Sequence, residues 1–302
     1  MPPDAPLNEE VSRARQIAAG LPDILIEARH IASTVLAGWH GRRASGRGET
    51  FWQFRPFVPG EAAASIDWRR SARDDHLYVR ETEWEAAHTV WFWADQSPSM
   101  EFRSRIAQVT KRQRATVLML ALTELMAAGG ERVGLMGTGA PILARHAAEQ
   151  FAIRLPLHAR EAPQPVIAGV RRMSDAVLIG DFLDPVEETE ALLEPFVRNG
   201  VRAHLIQVTD PAEEVFPYAG RTEFLDPETG QRHLVSRAEQ YRDDYARRLT
   251  ALRERLGDRC RRVDWTFLVH RTDAPATEPI LALHARLSDR NARLLDNRRG
   301  AA

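Results

Sequence analysis

Residues 89–100 read TVWFWADQSPSM. Val90, Trp91, Phe92, Trp93 and Ala94 form a short unbroken apolar run, as expected of a strand covered on both faces. Asp95, Ser97 and Ser99 follow at alternate positions, and Pro98 holds the segment in a loop. Open α/β sheets bind ligands beyond the carboxyl ends of their parallel strands, where this acid and these hydroxyls fall. Hard oxygen donors of this kind suit Mg²⁺ or Mn²⁺.

Downstream, strand and helix signals alternate. A long helix is expected from about Ser104 to Ala128, with Ile106, Val109, Val117, Leu120, Leu125 and Met126 on its apolar face and Gly129-Gly130 as its stop. Arg132–Gly137 and Ile142–Arg145 read as a hairpin around Thr138-Gly139. A short helix over Glu149–His158 leads to a second buried strand, Asp175–Gly180 (DAVLIG). Asp184 then reads as a helix cap, with Pro185 at the first helical position and Glu187 behind it. Val201–Val208 and Val263–His270 read as further strands, and Ser236 with Glu239 as a capping box for the helix stopped at Gly257. Glu278–Leu287 reads as a last helix. The order predicts an α/β fold: a mainly parallel, doubly wound sheet with one antiparallel hairpin strand.

Upstream, Ile17, Leu21, Ile24, Leu25, Ala28, Ile31 and Val35 recur at helical spacing. From Gly38 the chain turns rich in Gly, Arg and Trp, with short strands expected at Phe51–Phe57 and Leu77–Arg80. The expected organisation is an N-terminal helical and β-rich arm over 1–88, an α/β domain over 89–290 with an excursion at 209–235, and a polar tail over 291–302.

Composition narrows the classes of function. A net charge of −1 argues against a general polyanion binder. Arg42, Arg43, Arg47, Arg69, Arg70 and Arg73 beside Trp68 and Tyr78 resemble a nucleic-acid surface, but neutrality favours intramolecular pairing with Asp67, Asp74, Asp75, Glu83 and Glu85. Cys260 is the sole cysteine, which excludes an intrachain disulfide and a thiolate metal cluster. The stretch MPPDAPLNEE lacks the basic and apolar regions of a signal peptide, and no apolar run is long enough to span a bilayer. The expectation is a cytoplasmic chain without membrane insertion. No G-x-S-x-G elbow, P-loop or H-E-x-x-H is present, and the histidines fall in no ligand spacing.

A cation at Asp95, Ser97 and Ser99 calls for a further carboxylate from a neighbouring strand end. Asp181, directly after Val177–Gly180, is that candidate; Asp184 competes, but capping accounts for it. Asp95-x-Ser97-x-Ser99 with Asp181 resembles the metal-ion-dependent adhesion site of von Willebrand factor A-type domains. The resemblance implies that Ser97 and Ser99 bind the metal directly, Asp95 mostly through water, and that Asp181 completes the shell. That family's Thr ligand has no counterpart, because no Thr lies between Ala140 and Ser174.

A second resemblance rests on Arg55-x-Phe57-x-Pro59-Gly60-Glu61, Ile66-Asp67-Trp68, Ser71-Ala72-Arg73, Leu77-Tyr78-Val79, Glu83 and Glu85 before the Asp95 loop, and on Phe224-x-Asp226-Pro227-Glu228 after it. This pattern is similar to the bacterial family called domain of unknown function fifty-eight, with Glu61 where that family usually has Asp. Its members are often encoded beside a MoxR-type AAA+ ATPase. The resemblance implies a non-enzymatic adaptor or assembly role with such a partner and no established reaction. The alternative from another class is a metal-dependent hydrolase or phosphotransferase using Asp95 as nucleophile. A missing acid weakens it, since phosphatases of that type carry a second acid two residues after the first, where Ser97 stands.

Overall fold

The computed structural model describes residues 22–37, 51–58, 66–73, 76–82, 88–161 and 164–287. These fall into two units, one from the described residues of 51–82 and one from 22–37 and 88–287. Residues 1–21, the tail from 288, and Arg42, Arg43, Arg47, Pro59, Gly60, Glu61, Asp74, Asp75, Glu83 and Glu85 lie outside them. Helix α1 (22–37) belongs to the larger unit.

In the smaller unit, β1 (Phe51–Pro56) pairs antiparallel with β2 (Tyr78–Thr82), and the short helix α2 (Trp68–Ser71) lies between them in sequence. Asp67 caps α2, accepting from the Arg70 N–H at 2.9 Å. The Arg70 guanidinium sits 4.7 Å from the Tyr78 ring centroid and 5.9 Å from that of Phe54. This arginine–aromatic contact is therefore used within the unit.

The larger unit runs β3 (Thr89–Ala94), α3 (Lys111–Ala128), β4 (Arg132–Leu135), α4 (Ala147–Glu161), β5 (Asp175–Gly180), α5 (Val186–Arg198), β6 (Arg202–Thr209), α6 (Pro211–Val215), β7 (Thr222–Leu225), β8 (Arg232–Val235), α7 (Arg242–Arg262), β9 (Thr266–Arg271) and α8 (277–287). Five strands form one sheet in the order β4-β3-β5-β6-β9, every neighbouring pair parallel. β7 and β8 form a separate antiparallel hairpin.

Period-two alternation builds both cores from the same strands. Val90, Phe92 and Ala94 join the apolar layer of α1, α3, α4 and α8. Trp91 and Trp93 face the opposite layer, with Leu193 and Phe196 of α5 and Leu256 and Cys260 of α7. Helix α3 is buried almost all round, which is why no single apolar stripe marks it in the sequence.

Four local expectations are corrected. Ile142 makes one antiparallel bridge to Val133 and no strand, because Pro141 lacks a donor and the chain soon turns into α4. α3 begins at Lys111, not Ser104, with Thr110 and Gln113 forming a capping box. Pro185, in extended conformation, occupies the cap of α5, so Asp184 lies one residue too early to cap it. Ser236 and Glu239 form no capping box; the Glu239 carboxylate accepts from the Gly220 N–H at 2.7 Å, and α7 begins at Arg242.

Candidate metal and docking site

Parallel pairing delivers the site. The Asp95 N–H donates to the Ile179 carbonyl at 2.8 Å, extending the β3–β5 ladder one residue past β3. Asp95 thereby lies beside Gly180, where a Cβ would stand 3.2 Å from the Asp95 Cβ and 3.4 Å from its Oδ2. Asp181 follows Gly180, and its backbone carbonyl accepts from Gln207 Nε2 at 2.8 Å.

The loop after Asp95 is tightly bonded. The Ser97 N–H donates to Asp95 Oδ1 at 2.8 Å, and the Ser97 and Ser99 hydroxyls lie 3.0 Å apart. The Ser99 N–H donates to Glu228 Oε1 at 2.8 Å. Glu228 arrives from the β7–β8 turn, where Asp226 accepts from the Glu228 N–H and the Thr229 hydroxyl.

Behind the loop lies Lys111, only 1% exposed. Its ammonium donates to Asp181 Oδ2 at 2.9 Å and to Glu213 Oε1 at 2.7 Å. Burial works against this charge, but Asp181 and Glu213 overcome it and hold the Lys111 pKa above its ordinary range. Glu213 also accepts from the Asp210 N–H at 2.8 Å, locking α6 to the same node.

Asp95 is in the opposite situation. Burial pushes its pKa up to about 6; the Ser97 N–H and hydroxyl oppose this, and the charges of Asp181 and Glu228 add to it. Asp184 is raised as well, first by burial and then by Asp181, Glu188 and Glu228. The sheet edge is thus crowded with acids, and the buried Lys111 cation serves Asp181 and Glu213, not Asp95.

The structure brings Asp95, Ser97 and Ser99 together and sets Asp181 at the adjoining strand end. Asp95, Ser97 and Ser99 fit a hard cation in donor type, because the carboxylate lacks a basic partner among the described residues and two hydroxyls converge beside it. Asp181 fits less freely, since Lys111 already holds one of its oxygens. No group of three His, Cys, Asp or Glu side chains among the described residues is arranged to hold a metal, so a cation here depends on the serines. Sequence reasoning missed Lys111 and Glu213 and met Glu228 only within the family pattern, without a role at the Asp95 loop. Lys111 had a visible signal: it is the sole lysine among 41 basic residues.

The family model described as "Protein of unknown function DUF58" matches residues 53–255. The chain belongs to the DUF58 family. The matched span contains the Asp95 loop, Lys111, Asp181 and the Glu228 turn. Uncharacterized proteins of Mycobacterium bovis and Mycobacterium tuberculosis are 28% identical to this DUF58 chain over 275 residues, covering 85% of it and 86% of their own length. Among solved structures, a conserved hypothetical protein BatB from Bacteroides thetaiotaomicron aligns at 14% identity and a TM-score of 0.35. An aerotolerance-related membrane protein from Bacteroides fragilis aligns at 16% and 0.39. Each alignment covers 67% of this chain and 100% of the other, at scores too low to argue from. Among the described residues of the DUF58 chain, no helix is long and apolar enough to cross a membrane.

Proposed function

We propose that this DUF58 chain is a non-enzymatic docking module of the metal-ion-dependent adhesion type. Asp95, Ser97 and Ser99 would hold Mg²⁺ or Mn²⁺ at the carboxyl edge of the sheet, with Asp181 behind them. The bound ion would supply a Lewis-acid link to an incoming carboxylate. The observation that carries this reading is Asp95: a largely buried acid, raised to about 6, beside two hydroxyls 3.0 Å apart and without a basic partner among the described residues.

The chain's own residues divide the work. Lys111 neutralises Asp181 and Glu213, which keeps the acidic edge from repelling a partner's acid outright. Glu228 pins the Ser99 backbone and so holds the second hydroxyl in place. The resemblance to families encoded beside MoxR-type AAA+ ATPases makes such an ATPase the partner to test.

The test is capture of a purified MoxR-type ATPase by the full chain, with and without chelator. Capture lost on chelation and in Asp95→Ala, with folding intact, supports the reading. Capture indifferent to both contradicts the metal mechanism. Hydrolysis of a phosphoester with Mg²⁺, abolished in Asp95→Asn, would mark the loop as catalytic instead.

A further inference from the structure

Glu228 stands on an exposed turn, yet its position is fixed from two sides. Its carboxylate Oε1 accepts from the Ser99 N–H at 2.8 Å. Its backbone is held by Asp226, whose Oδ1 accepts from the Glu228 N–H at 2.9 Å and whose Oδ2 accepts from the Thr229 hydroxyl at 2.6 Å. The Asp226 N–H donates to the Gln231 carbonyl at 2.8 Å, and the Asp226 carbonyl accepts from the Gly230 N–H at 2.9 Å. Gly230 closes the turn at φ 72, a conformation that glycine adopts without strain. The β7–β8 turn is thus built to present one acid to the Asp95 loop.

Capping alone does not explain an acid at this place. The Ser99 N–H lies in the short helical turn Pro98–Glu101, and any side-chain oxygen would satisfy it. A neutral amide would do so without setting a negative charge near Asp95 and Asp184, both of which the Glu228 charge raises. Glu228 Oε2 accepts no hydrogen bond, and the carboxylate forms no ion pair, among the described residues. That second oxygen is available to a cation.

Charge balance points the same way. Asp181 and Glu228 are the acids whose charges chiefly bear on Asp95. Lys111 already holds Asp181 Oδ2, and the Ser97 and Ser99 hydroxyls are neutral. A divalent cation at the loop would therefore meet Asp95 as its one uncompensated carboxylate unless Glu228 joined it. Hard divalent cations bind more tightly as the number of charged ligands rises. Ser99 links the groups, because its N–H holds Glu228 while its hydroxyl lies 3.0 Å from that of Ser97.

We propose that Glu228 is a further ligand of the cation at the Asp95 loop, so that cation binding ties the β7–β8 hairpin to the carboxyl edge of the sheet. This rests on the docking reading of Asp95, Ser97 and Ser99. Mg²⁺ takes about six oxygens, so these side chains with Glu228 leave room for an incoming acid. The mostly exposed hairpin then carries a residue of the docking site itself.

The test is calorimetric titration of the full chain with Mg²⁺ alone at pH 7, on the parent, Asp95→Asn, Glu228→Gln and Glu228→Asp. Amide hydrogen exchange of the hairpin, with and without Mg²⁺, is the second readout. Glu228→Gln keeps an acceptor for the Ser99 N–H and should bind Mg²⁺ about tenfold more weakly. Glu228→Asp keeps the charge but falls short of the loop, and should also bind several-fold more weakly. Hairpin amides should exchange more slowly with Mg²⁺ in the parent and not in Glu228→Gln. Parent-like affinity in Glu228→Gln would overturn the proposal. Parent-like affinity in Glu228→Asp would leave Glu228 a distant charge and no ligand, and hairpin exchange indifferent to Mg²⁺ would overturn the tie. Any of these results, with binding still lost in Asp95→Asn, leaves the docking reading standing; no binding in the parent overturns both.

Discussion

Lys111 Nζ lies 2.9 Å from Asp181 Oδ2, so the one lysine of the chain is fixed against the acid that the sequence offered as a metal ligand. A compact ammonium, shared with Glu213, occupies a space buried on every side. A planar five-donor guanidinium would have to place more donors in this buried node than an ammonium does.

Replacing Lys111 by Met leaves Asp181 and Glu213 buried without their cation. The expected cost is about 3–5 kcal/mol, read by urea denaturation at neutral pH. Lys111→Arg should also destabilise, despite keeping the charge. A variant as stable as the parent would mean that the node relaxes around the loss.

Asp95 has a folded-state pKa of about 6, above the ordinary 3.8. The protonated form is the one favoured by folding. Its contribution is therefore full below the ordinary carboxylate pKa and is lost as pH rises through about 6. In chelator, the parent should lose roughly 2–3 kcal/mol between pH 4 and 7 from this group. Asp95→Asn should flatten that loss and be the more stable protein at pH 7. Melting curves at stepped pH check it; an unchanged slope in the variant would contradict it.

Glu228→Gln keeps an oxygen for the Ser99 N–H but removes a charge that raises the Asp95 pKa. The Asp95 carboxyl, followed by ¹³C NMR, should titrate at lower pH in this variant. Overall stability should change by no more than about 0.5 kcal/mol, because Glu228 is exposed.

Two glycines test the strand geometry. A Cβ at Gly134 would lie 2.5 Å from the buried Trp91 ring, so Gly134→Ala should cost about 1–3 kcal/mol. At Gly180 an added Cβ would press on Asp95 Cβ at 3.2 Å and on Asp95 Oδ2 and Trp93 Cζ3 at 3.4 Å, so Gly180→Ala should weaken cation binding more than it lowers stability. Calorimetry of both variants separates the two effects.

The parallel strands were legible because Val90–Ala94 and Ala176–Ile179 are apolar on both faces, which few other elements require. The loop of Asp95, Ser97 and Ser99 was legible because its position follows from where β3 ends. The helix starts were less so: α3 is buried almost all round and opens on the polar run Lys111–Arg114, and its start is set by the reciprocal capping bonds of Thr110 and Gln113. The antiparallel hairpin failed at Pro141, where alternation in the sequence meets a missing donor. Lys111, Glu213 and Glu228 come from three separate segments, and no local pattern announces that they meet.

The most direct test of the docking account is isothermal titration of the full chain with Mg²⁺ at pH 7. One binding event is expected, lost in Asp95→Asn and weakened in Ser97→Ala and Ser99→Ala, with affinity falling about tenfold per pH unit below 6 as a proton competes for Asp95. Absence of binding in the parent, or binding of equal strength in Asp95→Asn, would contradict it.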